Sequence, residues 1–328
     1  MRLVSAKTLG RSEDEVMMKG YKGFDKDLKC MEFQYEVGGE YEEPEAKICE
    51  KGFHFCENPM EVLKYYPPSN SRYAEVEGDG KIENEYDKIC CSRLRIKTEI
   101  GLTDLIQAGV KFILDKVDWK NAAETNTEDY SAAANTGTCS VATNTGEYSA
   151  ATNTGDCSAV ANTGTGSAAT NTGVYSAATN TGDYSVATNI GYCSVATNTG
   201  EYSAATNTGY RSAATNTGYC SVAANTGTYS VAANTGAYSA VTNTGTGSAA
   251  TNTGAYSAAA VEGRESVAIS LGIEGKAKGA LGCWLVLAEW ERLEDGWHRT
   301  DVKCGLVDGV TLKPNTYYKL QKGKFVEV

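Results

Sequence analysis

Histidine occurs only twice in 328 residues, at His54 and His298, and there is no surplus of basic residues, with 30 Lys and Arg against 41 Asp and Glu. With two poorly placed histidines the chain offers no His-based triad, and no P-loop, nucleophile elbow or paired general acid and base takes its place. The net charge of −11 excludes a nonspecific nucleic-acid binder, which needs a basic face to neutralise phosphates. A chain this acidic stays soluble or meets a basic partner. No apolar run approaches the roughly 18 residues that span a bilayer. The opening MRLVSAKTLGRSEDEV lacks the apolar core of a secretory signal. Eleven cysteines, an odd number, then fit reduced thiols in a cytoplasm better than a disulfide framework.

Proline is scarce too, at five residues, while Gly, Ala, Asn and Thr abound. That bias belongs to the middle of the chain. Residues 1–118 are charged and non-repetitive, 119–272 repeat one nonapeptide, and 273–328 turn aromatic and charged again. The first region reads as α+β. YKGFDKDLKCMEFQYEVGGEYEE offers short strands, ENPMEVLKYY a short helix with Asn58-Pro59 in its first turn, and SRYAEVEG and ICCSRLRIKT alternate as strands. LTDLIQAGVKFILDKV places Leu102, Leu105, Ile106, Val110, Ile113 and Val117 at helical spacing. This predicts a helix over about 102–117, positioned to cover the first coil of the repeats.

Aligned, the repeat reads x-Tyr-Ser-Ala-Ala-Thr-Asn-Thr-Gly. Gly and Asn in every unit oppose a helix. A strand Tyr-Ser-Ala-Ala-Thr followed by an Asn-Thr-Gly turn fits. Nine residues are too few to close a coil, whereas two units make a thin two-sided one. Alternate units support this. Acidic-plus-Tyr starts fall in the odd units, as at Asp129-Tyr130 and Glu147-Tyr148, and Cys concentrates in the even units, as at Thr138-Cys139 and Asp156-Cys157. Strand alternation then points positions three (Ser) and five (Ala or Val) inward and position two outward. Position eight, where Ile190 and Leu271 replace Thr, is expected to be buried. Asn at position seven is expected to stack in ladders, and Gly at position nine to supply a positive φ. About eight coils stack to roughly 40 Å.

Downstream, CWLVLAEWER, the Asp295-Gly296 turn and WHRTDVKCGLV predict a hairpin, and KPNTYYKLQKGKFVEV another strand pair. Trp284, Leu285, Leu287 and Trp290 are expected to plug the end of the stack. The fold class is therefore mainly β: a two-sided parallel β-solenoid of about 18 residues per coil, with a small α+β N-terminal domain and a β C-terminal cap.

Two resemblances bear on function. RESVAISLGIEGKAKGALG resembles the SVAIG…AxAxG repeats of trimeric-autotransporter adhesin heads, which are β-rolls. YKGFDKDLKCMEFQYEVGGEYE with KICEKGFHFCENPMEVLKYY resembles the N-terminal domain of a family from phages, prophages and gut bacteria that often carries ATNTG repeats and a KAKGALGCWLVLAEW-like end. That family brings no established activity. It implies a mobile-element setting, in the cytoplasm of a bacterial host or in a virion.

Four readings of candidate residues follow. Cys30, Cys49, His54 and Cys56 hold the ligand types of a tetrahedral Zn²⁺ site, but their spacing departs from a CxxC knuckle, and buried thiols with a satisfied histidine are the plainer reading. GFHFCENPMEVLKYY also resembles the strand-then-helix segment of ADP-ribosyltransferases. Lys19, Tyr21 and Lys22 stand where such enzymes carry a His or Arg strand, which implies a non-catalytic relative. Asp129, Glu147, Asp183 and Glu201 share one face, as a partial imitation of phosphates or as a solubilising row. Tyr130, Tyr148, Tyr184, Tyr202, Tyr238 and Tyr256 form an outward row that either stabilises the sheet or serves as a contact surface. An ice-binding role for the Thr-Asn-Thr arrays is disfavoured because they fall at the turn.

The expectation is a binding protein without catalysis or cofactor. Its acid/Tyr face or its N-terminal domain would engage another protein, most concretely a basic or nucleic-acid-binding host enzyme that it inhibits. The alternative is a virion or surface-adhesion module, and the Tyr rows would also let two copies pair.

Overall fold

The computed structural model describes residues 2–3, 17–85, 87–116, 118–123 and 125–328. The chain divides into two compact units, 1–112 and 113–328, with the boundary inside the helix Leu102–Lys116.

The first unit is built on an antiparallel sheet of β1 (Arg2–Leu3), β2 (Met18–Phe24), β5 (Glu40–Glu42), β6 (Phe53–Phe55), β7 (Arg72–Glu85) and β8 (Lys88–Ile100), with β3 (Lys29–Cys30) and β4 (Phe33–Gln34) as a separate hairpin. The order is β1-β5-β8-β7-β2, and β6 also pairs with β8. Alternate residues of the long β7–β8 hairpin face inward, so Val76, Leu94 and Ile96 close on Phe24, Tyr35, Tyr41 and Phe53. The expected short helix is α1 (Val62–Tyr65), which follows a 3₁₀ turn at Pro59–Glu61. Asn58 Oδ1 accepts the Met60 N–H at 3.0 Å, and Pro59 sits where its missing N–H costs nothing. The expected capping helix is α2 (Leu102–Lys116), with Leu105, Ile106 and Ile113 buried. Its Leu114 packs on Ala132 and Ala150, a contact with the side of the first two coils. Val117 lies outside the described residues.

The second unit is a parallel β-solenoid of about 9 turns and ~18 residues per turn over residues 125–287. Odd units form one parallel sheet and even units the other, with equivalent residues 18 apart in register, as Ala204↔Val222 and Asn207↔Asn225. Each unit contributes a four-residue strand at positions four to seven, such as Ala204–Asn207. The strand thus begins after the Ser, two residues later than the sequence expectation, and ends on the Asn, one residue later. Ser at position three and Ala or Val at position five are buried as expected, and the fifth positions form the central core, as in Ala187, Ala196, Ala205 and Ala214. The two outer faces differ at position four. Val195 and Val231 are exposed on the even sheet, and Val186 and Val222 are buried on the odd one.

Three expectations about the turn are corrected. Position eight is exposed, with Ile190 at 53%, and only half-buried where Leu271 occupies it. The strand has ended on an inward Asn, so the next residue steps outward at the corner. The position-nine glycines do not carry a positive φ; they are needed for space. From Gly146 to Gly272 a Cβ there would lie 1.8–2.1 Å from the backbone oxygen one coil back, as at Gly191 (1.8 Å from Gly173 O) and Gly263 (2.1 Å from Gly245 O). Asn at position seven stands in register with the Asn of the neighbouring coils but does not form a hydrogen-bonded ladder with it. It is buried and bonds across the coil: Asn207 Nδ2 donates to Ser194 O (2.9 Å) and Ala213 O (3.2 Å), and its Oδ1 accepts the Gly209 N–H (2.8 Å). The direct side-chain ladder belongs to serine. Ser203 N–H donates to Ser221 Oγ (3.1 Å), and Ser203 Oγ reaches Glu201 O (2.8 Å) and Gly182 O (3.3 Å).

The stack also runs past residue 272. Lys276–Gly279 pairs in parallel with Ala258–Val261, and Trp284–Leu293 begins in parallel with Val267–Ser270. Antiparallel strands then finish both sheets: Gly296–Leu306 on one, in the expected hairpin, and Tyr318–Gln321 with Lys324–Glu327 on the other. Leu285 and Leu287 plug the end as expected, together with Val307, Leu312, Tyr318 and Leu320. The two tryptophans do not. Strand alternation turns Trp284 outward (45% exposed), and Trp290 donates its indole N–H to Leu271 O at 3.0 Å beneath Arg299.

Candidate functional site

The tyrosine edge arises from a backbone inversion. Position two is left-handed in every described coil from Tyr130 to Tyr256, with φ between 49° and 57° wherever it is not glycine. The inversion reverses the ladder. Tyr202 N–H donates forward to Tyr219 O (2.9 Å), whereas Ala204 and Thr208 donate back to Ser185 O and Asn189 O. Position two accordingly carries Tyr, Cys, Arg or Gly from 130 to 256, and never Val, Ile or Thr, which fit this region worst. That missing β-branched class was the available signal for the turn geometry.

Along the odd edge the rings stack at coil spacing: Tyr184 on Tyr202 at 5.2 Å and 11°, and Tyr238 on Tyr256 at 5.1 Å and 15°. Tyr219, at position one, bridges the two pairs edge-on, 5.9 Å from Tyr202 and 5.5 Å from Tyr238. Sequence reasoning left it out of the row because it sits one position early. Tyr130 and Tyr148 form a separate stacked pair. At Gly166 the row has no ring, and Tyr148 lies against that glycine. A second row, also not foreseen, runs along the even edge through Tyr175, Tyr192, Tyr210 and Tyr229, with Arg211 over Tyr210.

Asp129, Glu147, Asp183 and Glu201 are exposed on the odd edge as expected. Two of them also work as ladder ends: Asp129 Oδ1 accepts the Glu147 N–H and Asp183 Oδ1 the Glu201 N–H, each at 2.8 Å. Half of this acidic row is therefore engaged with the backbone, which thins any likeness to a line of phosphates.

The left-handed turn gives a direct test. Replacing Tyr202 by Gly removes a stack worth about 0.5–1.5 kcal/mol but relieves a left-handed cost of about 1–2 kcal/mol, so the variant is expected within about 1 kcal/mol of the parent. Tyr202→Val loses the stack and adds a β-branched residue to the same turn, with an expected loss of about 2–3 kcal/mol. Urea unfolding of the two variants checks the order, and equal losses would contradict the inversion.

Within the first unit lies a cavity of about 900 Å³, lined from β2, the β3–β4 hairpin, the 43–52 loop, β6 and the α1 turn. Cys30, Cys49, His54 and Cys56 all line it, but each is engaged otherwise. His54 Nε2 accepts the Cys49 N–H at 3.0 Å, which occupies a ring nitrogen, and Cys49 Sγ accepts from Lys88 Nζ at 3.0 Å. Cys30 Sγ lies 3.7 Å from Lys22 Nζ. Burial pushes the Cys56 thiol up to about 12, against the thiolate a metal requires. Among the described residues no three His, Cys, Asp or Glu gather at metal-binding distance. Burial first, then the Lys22 and Lys88 ammoniums, hold His54 below its ordinary range, in the neutral form its hydrogen bond needs.

GFHFCENPMEVLKYY does form strand, turn and short helix, and the β2 strand with YKGF lies beside it through paired Tyr21–Cys56 backbone bonds of 2.8 and 2.9 Å. Of the three β2 residues singled out by sequence, Lys19 is exposed, Tyr21 half-buried and Lys22 buried at 4% exposure.

Residues 18–108 match the model of a domain family described as a domain of unknown function, DUF7666. The match spans β2 through β8 and enters α2, so it includes the cavity and leaves the repeats outside. No curated protein and no solved structure matches the chain.

Proposed function

We propose that this protein is a non-catalytic binding scaffold whose odd tyrosine edge engages another protein. The observation that carries the reading is the unbroken contact of Tyr184, Tyr202, Tyr219, Tyr238 and Tyr256 along one edge, with Tyr219 and Tyr256 at least 40% exposed. Stacking restricts the rings before any partner arrives, so little rotamer freedom is lost on binding. Each ring still presents an apolar body and a hydroxyl, the combination enriched at interfaces. The net charge of −11 and the acids at the head of the same edge favour a basic partner. In a phage or prophage setting, a nucleic-acid-binding host enzyme, held and inhibited by this edge, fits that description.

The test places a photo-crosslinking residue at Tyr219, and separately at Val231 on the even sheet, in bacterial cells producing the chain. The expected result is one specific adduct from position 219 and none from 231. The captured protein, purified, should then bind the parent chain at least ten-fold more tightly than a Tyr202→Ser, Tyr219→Ser, Tyr238→Ser variant. Equal adducts at both positions, no adduct, or an adduct consisting of a second copy of the chain would each overturn the reading.

A further inference from the structure

Lys22 is the anomaly of the first unit. Lysine is almost never fully buried unless paired with an opposite charge, yet Lys22 is 4% exposed, and no carboxylate lies within ion-pair distance among the described residues. Its ammonium donates to His54 O at 2.7 Å and lies 3.7 Å from Cys30 Sγ. It also sits 5.7 and 5.4 Å from the centres of the Phe24 and Tyr35 rings. These contacts use two of its three hydrogens and compensate the charge only in part. The residue lines the 900 Å³ cavity.

The other lining charges do not answer it. Glu32 and Glu50 are exposed and Glu43 is half-buried, none of them within ion-pair distance of Lys22; Glu50 is paired with Lys47, Lys51 with Glu45, and Lys88 donates to the Cys49 sulfur. Lys22 thus brings to the cavity a buried positive charge with no carboxylate beside it among the described residues, and an opposite charge is attracted far more strongly there than in water. Around it the walls are apolar and aromatic, with Phe33, Tyr35, Phe55, Val62 and Tyr66. The volume falls within the range of small-molecule sites, roughly 300–1,000 Å³.

We propose that this cavity binds an aromatic carboxylate, with the carboxylate paired to Lys22 and the ring body against the aromatic wall. A single buried ammonium favours a monoanion. A polyphosphate would need further cations at the same depth, and the lining Lys51 and Lys88 are more exposed, Lys51 paired with Glu45 and Lys88 bonded to the Cys49 sulfur. This site is separate from the tyrosine edge.

The probes are 2-naphthoate and its neutral amide, 2-naphthamide, titrated calorimetrically into the full-length protein. The expected result is one-to-one binding of the carboxylate at least ten-fold tighter than the amide. Lys22→Met should bring carboxylate affinity down to that of the amide, while Lys97→Met, whose ammonium pairs with Glu77 outside the cavity, leaves it within two-fold. Equal binding of acid and amide to the parent protein, no binding of either at millimolar concentration, or undiminished naphthoate binding by Lys22→Met would overturn the proposal. If Lys22→Met does not fold, the acid-to-amide ratio on the parent protein decides alone.

Discussion

Gly200→Ala is expected to cost more than about 3 kcal/mol, beyond the usual range for overpacking. The new Cβ would lie 1.9 Å from Gly182 O and 2.5 Å from its carbonyl carbon, both backbone atoms of the coil before. Relieving that overlap needs a shift of more than about 1 Å, a large fraction of the ~4.8 Å between neighbouring strands. The carbonyl is not free to swing, because Ser203 Oγ lies 3.3 Å from it. Gly282→Ala is the matched control. Gly282 has a φ of 84°, and a methyl group there would meet nothing within 4 Å, so alanine incurs only the left-handed cost of about 1–2 kcal/mol. Urea unfolding followed by circular dichroism should show Gly200→Ala as the more damaging change. The reverse order would mean that backbone conformation, and not close approach, keeps glycine at position nine.

Asn207→Ala is the second large effect, expected at about 3–5 kcal/mol. The substitution strands the Gly209 N–H and removes the donors to Ser194 O and Ala213 O, the first two in a buried setting and the third part-buried. Each buried group left unsatisfied costs about 1–3 kcal/mol, with some relief from relaxation. Asn207→Asp separates the donor role from the acceptor role. A carboxylate can still accept the Gly209 N–H, but it faces two carbonyl oxygens with no hydrogen to offer. Burial and these neighbours raise its folded pKa above the unfolded value, so any stability it recovers is present below the unfolded pKa and lost as pH rises through the folded one. The Asp variant should therefore gain stability relative to Asn207→Ala on acidification from about pH 7 to about pH 4. An unchanged difference across that range would show that the amide donors contribute nothing.

Both predictions depend on contacts that a single nonapeptide does not reveal. Gly and Asn are common turn residues, and the sequence alone supports a turn role for both. Their actual constraints come from atoms one coil away for the glycine, and from the opposite sheet for the asparagine. Ile190 shows the same limit. An apolar residue at a corner suggests burial, but the strand ends one residue earlier, on an inward Asn, which leaves position eight facing solvent.

What the sequence determined by itself was everything governed by periodicity. The alternation of acidic-Tyr and Cys starts set the eighteen-residue coil, and period two placed Ser and Ala inside. Helical spacing located α2, and Asp295-Gly296 the terminal hairpin. Tertiary structure decided what depends on neighbours distant in sequence. It inverted the backbone at position two to reverse a hydrogen-bond ladder, and drew Tyr219 into the aromatic row through contacts with Tyr202 and Tyr238. It also buried Lys22 between Phe24 and Tyr35 beside a cavity, because β2, the β3–β4 hairpin and β6 converge there. Local pattern fixes which way a side chain faces along a strand, but whether it meets a carbonyl, a ring or an unanswered charge is settled only when the strands are brought together.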